Sequence, residues 1–389
     1  MSKYKILTLN NIAVAALERF PRERYEVASE IQHPDAVLVR SHRLHDWPLP
    51  ASLRAVGRAG VGVDNIPVPD LSARGIPVFN APGANANAVK ELVLAGMLLA
   101  ARNIGEGWLY ARGLEGDDAA ISRQVEAEKK RFRGIELNAR TVGVVGLGAI
   151  GVQVANAAHA LGMRVVGFDP NITVSNAWRL SAQTEHARSV SDLLQQADFV
   201  SLHVPLTDAT RHLINAERLR RVRPGAVLLN FAREAIVDEQ AVCDALAEER
   251  LGAYVCDFPS NRLKGQPRVI ALPHLGASTV ESEENSAVAV VERLRAYLED
   301  GSVSCSVNFP DMDMPRSEGH RLLVVNANVP HMIERISTVI AREDINIMDM
   351  LNRSRGDLAC TLLDIECPVP EPVLQRIRQV EGVLAVHAL

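Results

Sequence analysis

Residues 141–151 are Thr141-Val142-Gly143-Val144-Val145-Gly146-Leu147-Gly148-Ala149-Ile150-Gly151. An apolar run leads straight into a G-x-G-x-x-G turn, and helical periodicity begins at Ile150 and continues to Leu161. Glycines at these positions permit a tight turn and let backbone amides approach a pyrophosphate at the helix N-terminus. The stretch therefore predicts a dinucleotide site, and a tight turn without a ligand is the alternative. The residues expected at this site are Gly146, Gly148, Ala149, Ile150 and Gly151.

A carboxylate at the end of the next predicted strand bears on the choice of cofactor. The strand is expected at 164–168, and Asp169 follows it directly. A carboxylate at this position can accept both ribose hydroxyls of NAD, and it repels the 2′-phosphate of NADP. We therefore expect NAD as the cofactor, and the presence of this acid weakens the ligand-free alternative.

The same alternation of short apolar strands and amphipathic helices extends in both directions, and it predicts an α/β protein with parallel sheets. Before the turn we expect strands at 5–9, 36–39, 55–59 and 78–79, a helix at 86–102 and a charged segment at 105–133. After it we expect strands at 199–204, 226–230, 252–256 and 269–271, and helices at 239–249 and 279–299. Residues 312–319 are typical of a linker, and the strand-helix-strand-strand-helix-strand order beyond them predicts a ferredoxin-like α+β domain.

Composition and charge limit the classes of protein. The chain has 389 residues, which suggests two or three domains, and its formal net charge of −5 argues against a general nucleic-acid binder. The longest apolar run, Leu92–Ala101, is about half of what a bilayer span requires, and the first residues do not resemble a signal peptide. Five scattered cysteines form no C-x-x-C, so we expect buried thiols, no metal site and a cytoplasmic protein.

Two segments at the ends of predicted strands carry chemistry that suits a hydroxy acid. They are Asn230-Phe231-Ala232-Arg233 and Pro273-His274-Leu275-Gly276-Ala277. Hydride transfer between NAD and a 2-hydroxy acid requires a guanidinium that holds the carboxylate and a group that takes the hydroxyl proton near neutral pH. Arg233 and His274 have these chemistries. Taken singly, such an arginine is usually a surface ion pair and such a histidine a capping or core residue, but the nucleotide turn favours catalysis.

Several motifs in this order resemble the D-isomer-specific 2-hydroxy-acid dehydrogenases, from residue 1 to about residue 308. The resemblance rests on Gly146–Gly151, Asn230–Arg233, Pro273–Thr279, Val39-Arg40-Ser41 and Ala59-Gly60-Val61-Gly62-Val63-Asp64-Asn65. It implies two Rossmann-like, doubly wound parallel-sheet domains with the active site between them. The implied substrate-binding domain comprises 1–95 and 280–308, and the implied NAD-binding domain comprises 96–279.

The resemblance also implies roles for individual residues, with Arg233 and His274 as the catalytic pair. The implied NAD contacts beyond the glycine turn and Asp169 are Val204, Phe231, Ala232, Arg233, Asp257, His274, Gly276 and Ala277. The implied substrate contacts are Arg40, Ser41, Gly60, Val61 and Gly62. Lys129 and Lys130, in a region that forms a subunit contact in the family, are candidates for the substrate phosphate. A solvated charge run is the alternative for these two lysines.

One departure from the family concerns the catalytic histidine. The family has a glutamate shortly after the Asp257 position that hydrogen-bonds this histidine, whereas residues 258–262 are Phe-Pro-Ser-Asn-Arg and no acid appears before His274. We expect Asn261 or a water molecule to hold the imidazole instead. Asp257 is expected at the nicotinamide carboxamide, and a cap at the end of its strand is the competing interpretation.

Residues 319–389 resemble ACT domains, which are small-molecule sensors at the end of many relatives. Asn328 and Asn346 match positions that bind serine in serine-inhibited members. Asn326, however, stands where these members often have histidine, and His331 replaces their usual glycine. We expect an L-serine effector site at a contact between two such domains, and a pure assembly module is the alternative.

The combined expectation is an NAD-dependent oxidoreductase that forms a homodimer or homotetramer. Its expected reaction is the oxidation of a phosphorylated hydroxy acid, 3-phospho-D-glycerate, to 3-phosphohydroxypyruvate, the first step of L-serine biosynthesis. Two alternatives remain open. One is another D-2-hydroxy acid, such as 4-phosphoerythronate or 2-hydroxyglutarate, and the other is an NAD-sensing, corepressor-like binding protein. No nucleic-acid or membrane partner is expected.

Overall fold

The computed structural model describes residues 3–389, and the chain divides into two compact units. The first unit joins the N-terminal part, which ends at Asn85, to the C-terminal part, which runs from Val280 to Leu389. The second unit is the continuous segment Ala86–Thr279. Across residues 3–389, no helix has both the length and the apolar character that a bilayer crossing requires.

The N-terminal part of the first unit is a five-stranded parallel sheet. Its elements are β1 (Tyr4–Leu9), α1 (Val14–Leu17), β2 (Tyr25–Ala28), β3 (Ala36–Val39), β4 (Ala55–Arg58), α2 (Val68–Ala73) and β5 (Val78–Phe79). The strand order is β2-β1-β3-β4-β5, and every residue of the central β3 is buried. Continuous burial gives a parallel strand an uninterrupted apolar sequence. This is why β3 was predicted and the partly exposed edge strand β2 was missed.

The second unit is built on a seven-stranded parallel sheet. Its first elements are α3 (Ala86–Arg102), α4 (Ile104–Arg112), α5 (Asp118–Glu128), β6 (Thr141–Val145), α6 (Ala149–Ala160), β7 (Arg164–Phe168), α7 (Val174–Arg179), β8 (Glu185–His186) and α8 (Val190–Gln196). The others are β9 (Phe199–Leu202), α9 (Ala216–Leu219), β10 (Ala226–Asn230), α10 (Glu239–Ala247), β11 (Leu251–Cys256) and β12 (Val269–Ala271), with short 3-10 helices at Lys129–Phe132 and Glu234–Ile236. The strand order is β12-β11-β10-β9-β6-β7-β8, so the direction of strand addition reverses between β6 and β9.

Helix α3 belongs wholly to the second unit. Val89, Val93 and Met97 lie in one hydrophobic core with Val142 of β6. The boundary between the units therefore falls after residue 85 instead of residue 95, because a division inside the helix would split its buried face. The charged segment at 105–133 contains α4 and α5, and neither helix has a buried residue.

The C-terminal part of the first unit contains a long helix and a four-stranded antiparallel sheet. Its elements are α11 (Val280–Asp300), β13 (His320–Ala327), α12 (Met332–Ala341), β14 (Ile347–Arg355), β15 (Leu358–Ile365), α13 (Glu371–Arg378) and β16 (Val383–Ala388). The strand order β14-β15-β13-β16 confirms the expected ferredoxin-like fold. The structure groups this domain with the N-terminal sheet in one unit.

The strand β13 is buried on both faces of the C-terminal sheet, and its successive residues, which point to opposite sides, join different cores. Leu322 of β13 joins a core with Ile336 of α12 and Ile377 of α13. Its neighbour Leu323 joins a different core, which contains Leu294 of α11. The domain is therefore packed against the rest of the first unit through an apolar sheet face.

A buried ion pair connects this sheet to α11 and to residues 312–319. Arg321 and Asp364 form a bidentate pair, with Nε–Oδ1 2.7 Å and Nη2–Oδ2 2.8 Å, and both side chains are fully buried. The guanidinium also donates to the carbonyl oxygens of Asp300, Met314 and Pro315. Met312 and Met314 are 2% and 5% exposed. The expected linker is therefore a packed segment.

We expect Asp364→Ala to lower the free energy of unfolding by roughly 3–5 kcal/mol, because it leaves a buried guanidinium without its counter-charge. Urea denaturation of the full chain measures this loss. Arg376→Ala, which removes an exposed pair with Glu343 in the same domain, is the matched control and should cost less than about 1 kcal/mol. Equal losses in the two variants would contradict this account.

The same pair gives the stability a defined pH dependence. Burial raises the pKa of Asp364, but hydrogen bonds from Arg321 and Ser317 outweigh this effect and lower it from 3.8 to about 2. A carboxyl group whose pKa is lowered by folding stabilises the protein above its unfolded pKa, and this contribution is lost as the pH falls toward the folded value. The stability curve of Asp364→Ala should therefore be flatter than that of the wild type below pH 3.8.

Candidate functional site

The residues with candidate chemistry lie at one edge of the second unit's sheet. Gly146 and Asp169 follow β6 and β7, and Arg233 and Asp257 follow β10 and β11. His274 follows β12, the outermost strand on that side. Because the strands are parallel, their carboxyl ends share one edge. The reversal in strand order between β6 and β9 is where open α/β sheets bind ligands.

Each glycine of the turn has its own structural reason. Gly146 has a φ of +92°, and a Cβ there would lie 2.6 Å from the carbonyl oxygen of His203. A Cβ on Gly151 would lie 1.9 Å from the carbonyl oxygen of Gly146, so glycine allows α6 to approach the strand end closely. A Cβ on Gly148 would meet nothing within 4 Å. Gly148 therefore faces open space.

That open space fits the pyrophosphate of a dinucleotide. Gly148 is the N-cap residue of α6, and the helix has no side-chain cap. The first amides of an uncapped helix need acceptors, and together with the helix dipole they favour a phosphate group. The observed geometry thus reproduces the three roles of the glycines in a dinucleotide-binding turn: a tight turn, close ligand approach and close helix packing.

The carboxylate of Asp169 contacts the glycine turn directly. Its Oδ2 accepts a hydrogen bond from the amide of Leu147 at 2.8 Å, and its Oδ1 accepts one from the amide of Asn171 at 2.8 Å. Each carboxylate oxygen can accept a second hydrogen bond. Asp169 is half-buried at the end of β7, and it can therefore receive ribose hydroxyls without releasing the turn.

Asn230 holds the loop that carries Arg233. Its Nδ2 donates to the carbonyl oxygen of Arg233 at 2.9 Å, and its Oδ1 accepts from the amide of Ala232 at 3.2 Å. The motif Asn230–Arg233 did not by itself indicate a role for Asn230, although a buried amide at a strand end is a signal for such a function. Arg233 is half-buried and makes no ion pair among residues 3–389. The surface-pair interpretation of this arginine is therefore not supported.

Asp257 holds the turn that carries His274. Its Oδ1 and Oδ2 accept hydrogen bonds from the amides of Leu275 and Gly276, both at 2.7 Å. Its carbonyl oxygen accepts from the amide of His274 at 3.2 Å. His274 has a φ of +57°, which is uncommon for a residue other than glycine, and it is exposed. Asp257 therefore acts as a cap in this structure, and its contact with the nicotinamide stays a prediction.

Phe258 is the aromatic neighbour of His274. Its ring packs edge-on against the His274 imidazole, with the centroids 5.3 Å apart and the planes at 81°. Within residues 3–389 no ion pair joins the imidazole to a carboxylate. Asn261 is exposed and lines a groove with Ser260 and Lys264, so the structure does not place it on the imidazole.

The remaining expected cofactor residues offer different surfaces. The Cγ1 of Val204, which follows β9, would lie 3.0 Å from a Cβ on Gly146, so Val204 lines the glycine turn. Phe231 is 7% exposed and its ring belongs to the hydrophobic core. Only its backbone can therefore face a cofactor. Ala232 is half-buried and Ala277 is exposed.

The expected substrate residues lie in the first unit, where β3 and β4 end. Arg40 follows β3, and its Nη2 forms an ion pair with Glu283 of α11. The amide of Ser41 donates to Oδ1 of Asn10 at 3.1 Å. The guanidinium of Arg40 is therefore shared with a carboxylate, and any anionic ligand must compete with Glu283 for it.

Arg58 is a cation beside this turn that no sequence motif indicated. A Cβ on Gly60 would lie 1.9 Å from its Nη1, so glycine gives the guanidinium room against the turn. Its Nε donates to the carbonyl oxygen of Arg40 at 3.1 Å. Asn80 donates to the carbonyl oxygen of Val61 at 2.6 Å and holds the centre of the Gly60–Gly62 turn.

The remaining cation candidates lie in the 3-10 helix that follows α5. Lys129 and Lys130 are exposed, and Lys129 forms an ion pair with Glu126. Such an arrangement is typical of a solvated charge run. A role for these lysines at a subunit contact stays a prediction.

The two expected effector residues lie at opposite ends of the C-terminal sheet. Asn328 follows β13 and its side chain donates to the carbonyl oxygen of Gly356 at 2.9 Å. Asn346 precedes β14, and its backbone N–H donates to Oε1 of Glu366 at 3.3 Å. The β13 and β14 strands run in the same direction on either side of β15, so one strand length, about 25 Å, separates the two residues. A small ligand can contact both only where two copies meet.

Comparison with known proteins identifies the family. A family model described as "D-isomer specific 2-hydroxyacid dehydrogenase, NAD binding domain" matches residues 94–276. A D-3-phosphoglycerate dehydrogenase of Methanocaldococcus jannaschii is 37% identical over 296 residues, covering 74% of this chain and 54% of the relative, so this chain spans about half of that protein. A D-3-phosphoglycerate dehydrogenase of Haemophilus influenzae is 32% identical over 350 residues, 87% of this chain and 81% of the relative.

The fold agrees with this result. The crystal structure of NAD+-bound 3-phosphoglycerate dehydrogenase from Entamoeba histolytica superposes with a TM-score of 0.61 at 26% identity, covering 79% of this chain and 99% of that one. The matched residues 94–276 contain the glycine turn, Asp169, Arg233 and His274. The chain therefore belongs to the D-isomer-specific 2-hydroxyacid dehydrogenases, and its second unit contains the NAD-binding domain of that family.

Proposed function

We propose that this protein is a cytoplasmic oxidoreductase that uses NAD to oxidise 3-phospho-D-glycerate to 3-phosphohydroxypyruvate, the first step of L-serine biosynthesis. The proposal rests on the presence of Arg233 and His274 at the sheet edge that also carries the glycine turn and Asp169. The substrate is supported by the two curated relatives, which are both D-3-phosphoglycerate dehydrogenases.

The residues at this edge divide the chemistry between them. Bound NAD would supply the hydride acceptor for C2 of the hydroxy acid. The Arg233 guanidinium holds the substrate carboxylate through two hydrogen bonds and polarises the C2 oxygen. His274 takes the hydroxyl proton as the C2–H bond breaks, so that a ketone forms. The Asn230 side chain holds the backbone of the Arg233 loop, and the Asp257 side chain holds the backbone of the turn that carries His274.

Two arginines of the first unit suit the substrate phosphate. The Nε of Arg58 donates to the Arg40 carbonyl oxygen, so the Arg58 guanidinium lies beside the backbone of Arg40. Arginine forms strong charge-assisted hydrogen bonds with phosphate. The phosphate would displace Glu283 from Arg40. Lys129 and Lys130 of a neighbouring subunit are the alternative source of positive charge.

Assembly into a homodimer or homotetramer is part of the proposal. Helix α4 presents Ile104, Trp108 and Leu109, which are 47%, 58% and 64% exposed. Contiguous apolar side chains of this size usually mark a protein contact, and the occupant we propose is a second copy of this chain. Such a contact would bring Lys129 and Lys130, which follow α5, close to a neighbouring subunit.

L-Serine is the proposed effector of the C-terminal domain. The separation of Asn328 and Asn346 supports a site shared by two copies, in which each copy contributes one asparagine. The strand β14 lies at the edge of its sheet and most of its residues are exposed. An edge strand has unpaired backbone groups and can pair with another chain.

We expect the full-length protein to oxidise 3-phospho-D-glycerate with a kcat/KM at least about tenfold above those for 4-phosphoerythronate and 2-hydroxyglutarate, because binding groups placed for one substrate discriminate against others. Steady-state turnover with this panel measures the preference. A preference for another acid would reject the proposed substrate. NAD binding without any turnover would favour the corepressor-like alternative.

His274→Ala should lower kcat by about two to four orders of magnitude, as expected for a lost general base. Arg233→Ala should raise KM as well as lower kcat, because the guanidinium acts in both the ground state and the transition state. His186→Ala, at an exposed histidine on the edge strand β8, is the matched control and should leave both constants unchanged. Near-normal turnover of either active-site variant would exclude that residue from catalysis.

We expect a preference for NAD over NADP of at least about tenfold, because the Asp169 carboxylate repels a 2′-phosphate. Asp169→Asn should reduce the preference for NAD over NADP, since it removes the negative charge and keeps one acceptor oxygen for the glycine turn. The kcat/KM values for the two cofactors measure the effect. An equal use of both cofactors by the wild type would show that Asp169 does not select the cofactor.

L-Serine should inhibit the wild-type enzyme, and D-serine is the ligand control. Asn346→Ala should raise the L-serine concentration needed for half-maximal inhibition at least about tenfold, because it removes a hydrogen bond to the ligand. Asn346 is the better position for this substitution, because the Asn328 side chain also bonds the Gly356 carbonyl oxygen and its removal would disturb the fold as well. Inhibition is read from initial rates of the full chain. No response to millimolar L-serine would leave this domain as an assembly module.

A further inference from the structure

A pocket of about 570 Å³ opens within the first unit, between its N-terminal sheet and its C-terminal domain. Arg54 and Arg74, from segments that precede β4 and β5, line one side of it. Arg378 of α13 and His387 of β16 line the other side. The pocket lies at the amino ends of β4 and β5, whereas the Gly60–Gly62 turn follows the carboxyl end of β4. It is therefore separate from the candidate substrate residues.

The lining of this pocket carries positive charge. Among the residues that the structure describes, three guanidinium groups and no carboxylate line it. Arg74 donates to the carbonyl oxygens of Leu49 and Pro50 at 3.0 and 2.7 Å, and these contacts leave its charge uncompensated. Arg378 has a partner in Glu371, 2.6 Å away, which lies outside the lining. The volume is in the usual range for small-molecule sites.

Arg54 is the arginine with unsatisfied donors. Its Nε and Nη2 are buried and have no hydrogen-bond partner, and its Cζ lies 5.6 Å from the centre of the Tyr4 ring. Buried donors of a charged group that lack an acceptor are costly. The hydroxyl of Tyr297 is also buried without a partner. The interior next to the pocket therefore contains buried polar groups whose hydrogen bonds are not satisfied.

The electrostatics of His387 show that the two sides of the pocket act on the same ring. Burial, reinforced by the charges of Arg54 and Arg378, lowers the pKa of His387 to about 3. The imidazole is thus neutral at physiological pH and adds no charge to the arginines. It can serve a ligand as a hydrogen-bond donor or acceptor.

We propose that this pocket binds a small oxyanion metabolite, a phosphate monoester or a dicarboxylate, between Arg54 and Arg378. The anion accepts hydrogen bonds from the guanidinium groups of Arg54 and Arg378 that line the pocket, and it compensates the charge of Arg54 and Arg74, which form no ion pair within residues 3–389. Because Arg54 belongs to the N-terminal part and Arg378 to the C-terminal domain, the bound anion stabilises their association. The site suits an effector, since Arg233 and His274 both belong to the other unit.

Isothermal titration calorimetry of the full chain, saturated with NAD, tests the proposal with inorganic phosphate and, separately, with malonate. We expect a saturable site for at least one of the two anions. Arg54→Gln and Arg378→Gln should each weaken binding at this site at least about tenfold, because each removes a charge-assisted hydrogen bond. Arg376→Gln is the matched control, since it lies on the same helix, is exposed, pairs with Glu343 and does not line the pocket.

Arg233→Gln distinguishes this site from the active site, which also attracts anions. A site that persists in Arg233→Gln and is weakened in Arg54→Gln and Arg378→Gln supports the proposal. Should Arg54→Gln not fold, the exposed Arg378 decides alone. The absence of saturable binding, or binding that changes only with Arg233→Gln, overturns it. Binding of phosphate without malonate identifies a phosphate monoester, and the reverse identifies a dicarboxylate. Because the measurement requires no turnover, its outcome is independent of the proposed reaction.

Discussion

Parallel pairing of the strands in the second unit forces all their carboxyl ends to one edge of the sheet, and every candidate catalytic and cofactor residue depends on this constraint. The glycine turn, Asp169, Arg233 and His274 are far apart in the chain and share an edge only because their strands run in one direction. Two strand-end residues, Asn230 and Asp257, then fix the geometry of the loops that follow. Asn230 donates to and accepts from the backbone of its loop, and the Asp257 carboxylate accepts from the backbone amides of the next turn. The backbone architecture collects the chemistry, and a few buried polar groups fix its orientation.

The sequence was most informative where strands are buried on both faces. The apolar runs at 141–145 and 226–230 match strands in which every residue is buried, because full burial leaves an uninterrupted apolar pattern. The runs at 164–168 and 269–271 also match observed strands, although these are only partly buried. The edge strand β8, Glu185–His186, and the exposed helices α4 and α5 carry no such pattern and were missed. Residue types and their spacing were enough to suggest Arg233 and His274. The contacts that hold them were not, because a cap such as Asp257 on Leu275 and Gly276 is defined by atomic positions.

Long-range charge pairing was equally invisible before the fold was known. Arg40 and Glu283 are separated by most of the chain, and so are the two parts of the first unit that they connect. The pairing of Arg321 with Asp364 follows from the register of β13 and β15, which no local pattern specifies. Local sequence therefore predicted which elements form, whereas the partners of the charged side chains required the three-dimensional structure.

The second apolar face of the C-terminal sheet also bears on how such a protein can evolve. A domain that is added by gene fusion, or exchanged by recombination, can be transferred freely only if its outer surface is already compatible with water. Here Leu323 and its neighbours share a core with Leu294 of α11, so a transferred domain would arrive with an uncovered apolar sheet. This domain and the elements that cover its sheet, helix α11 among them, are therefore constrained to be inherited and to change together.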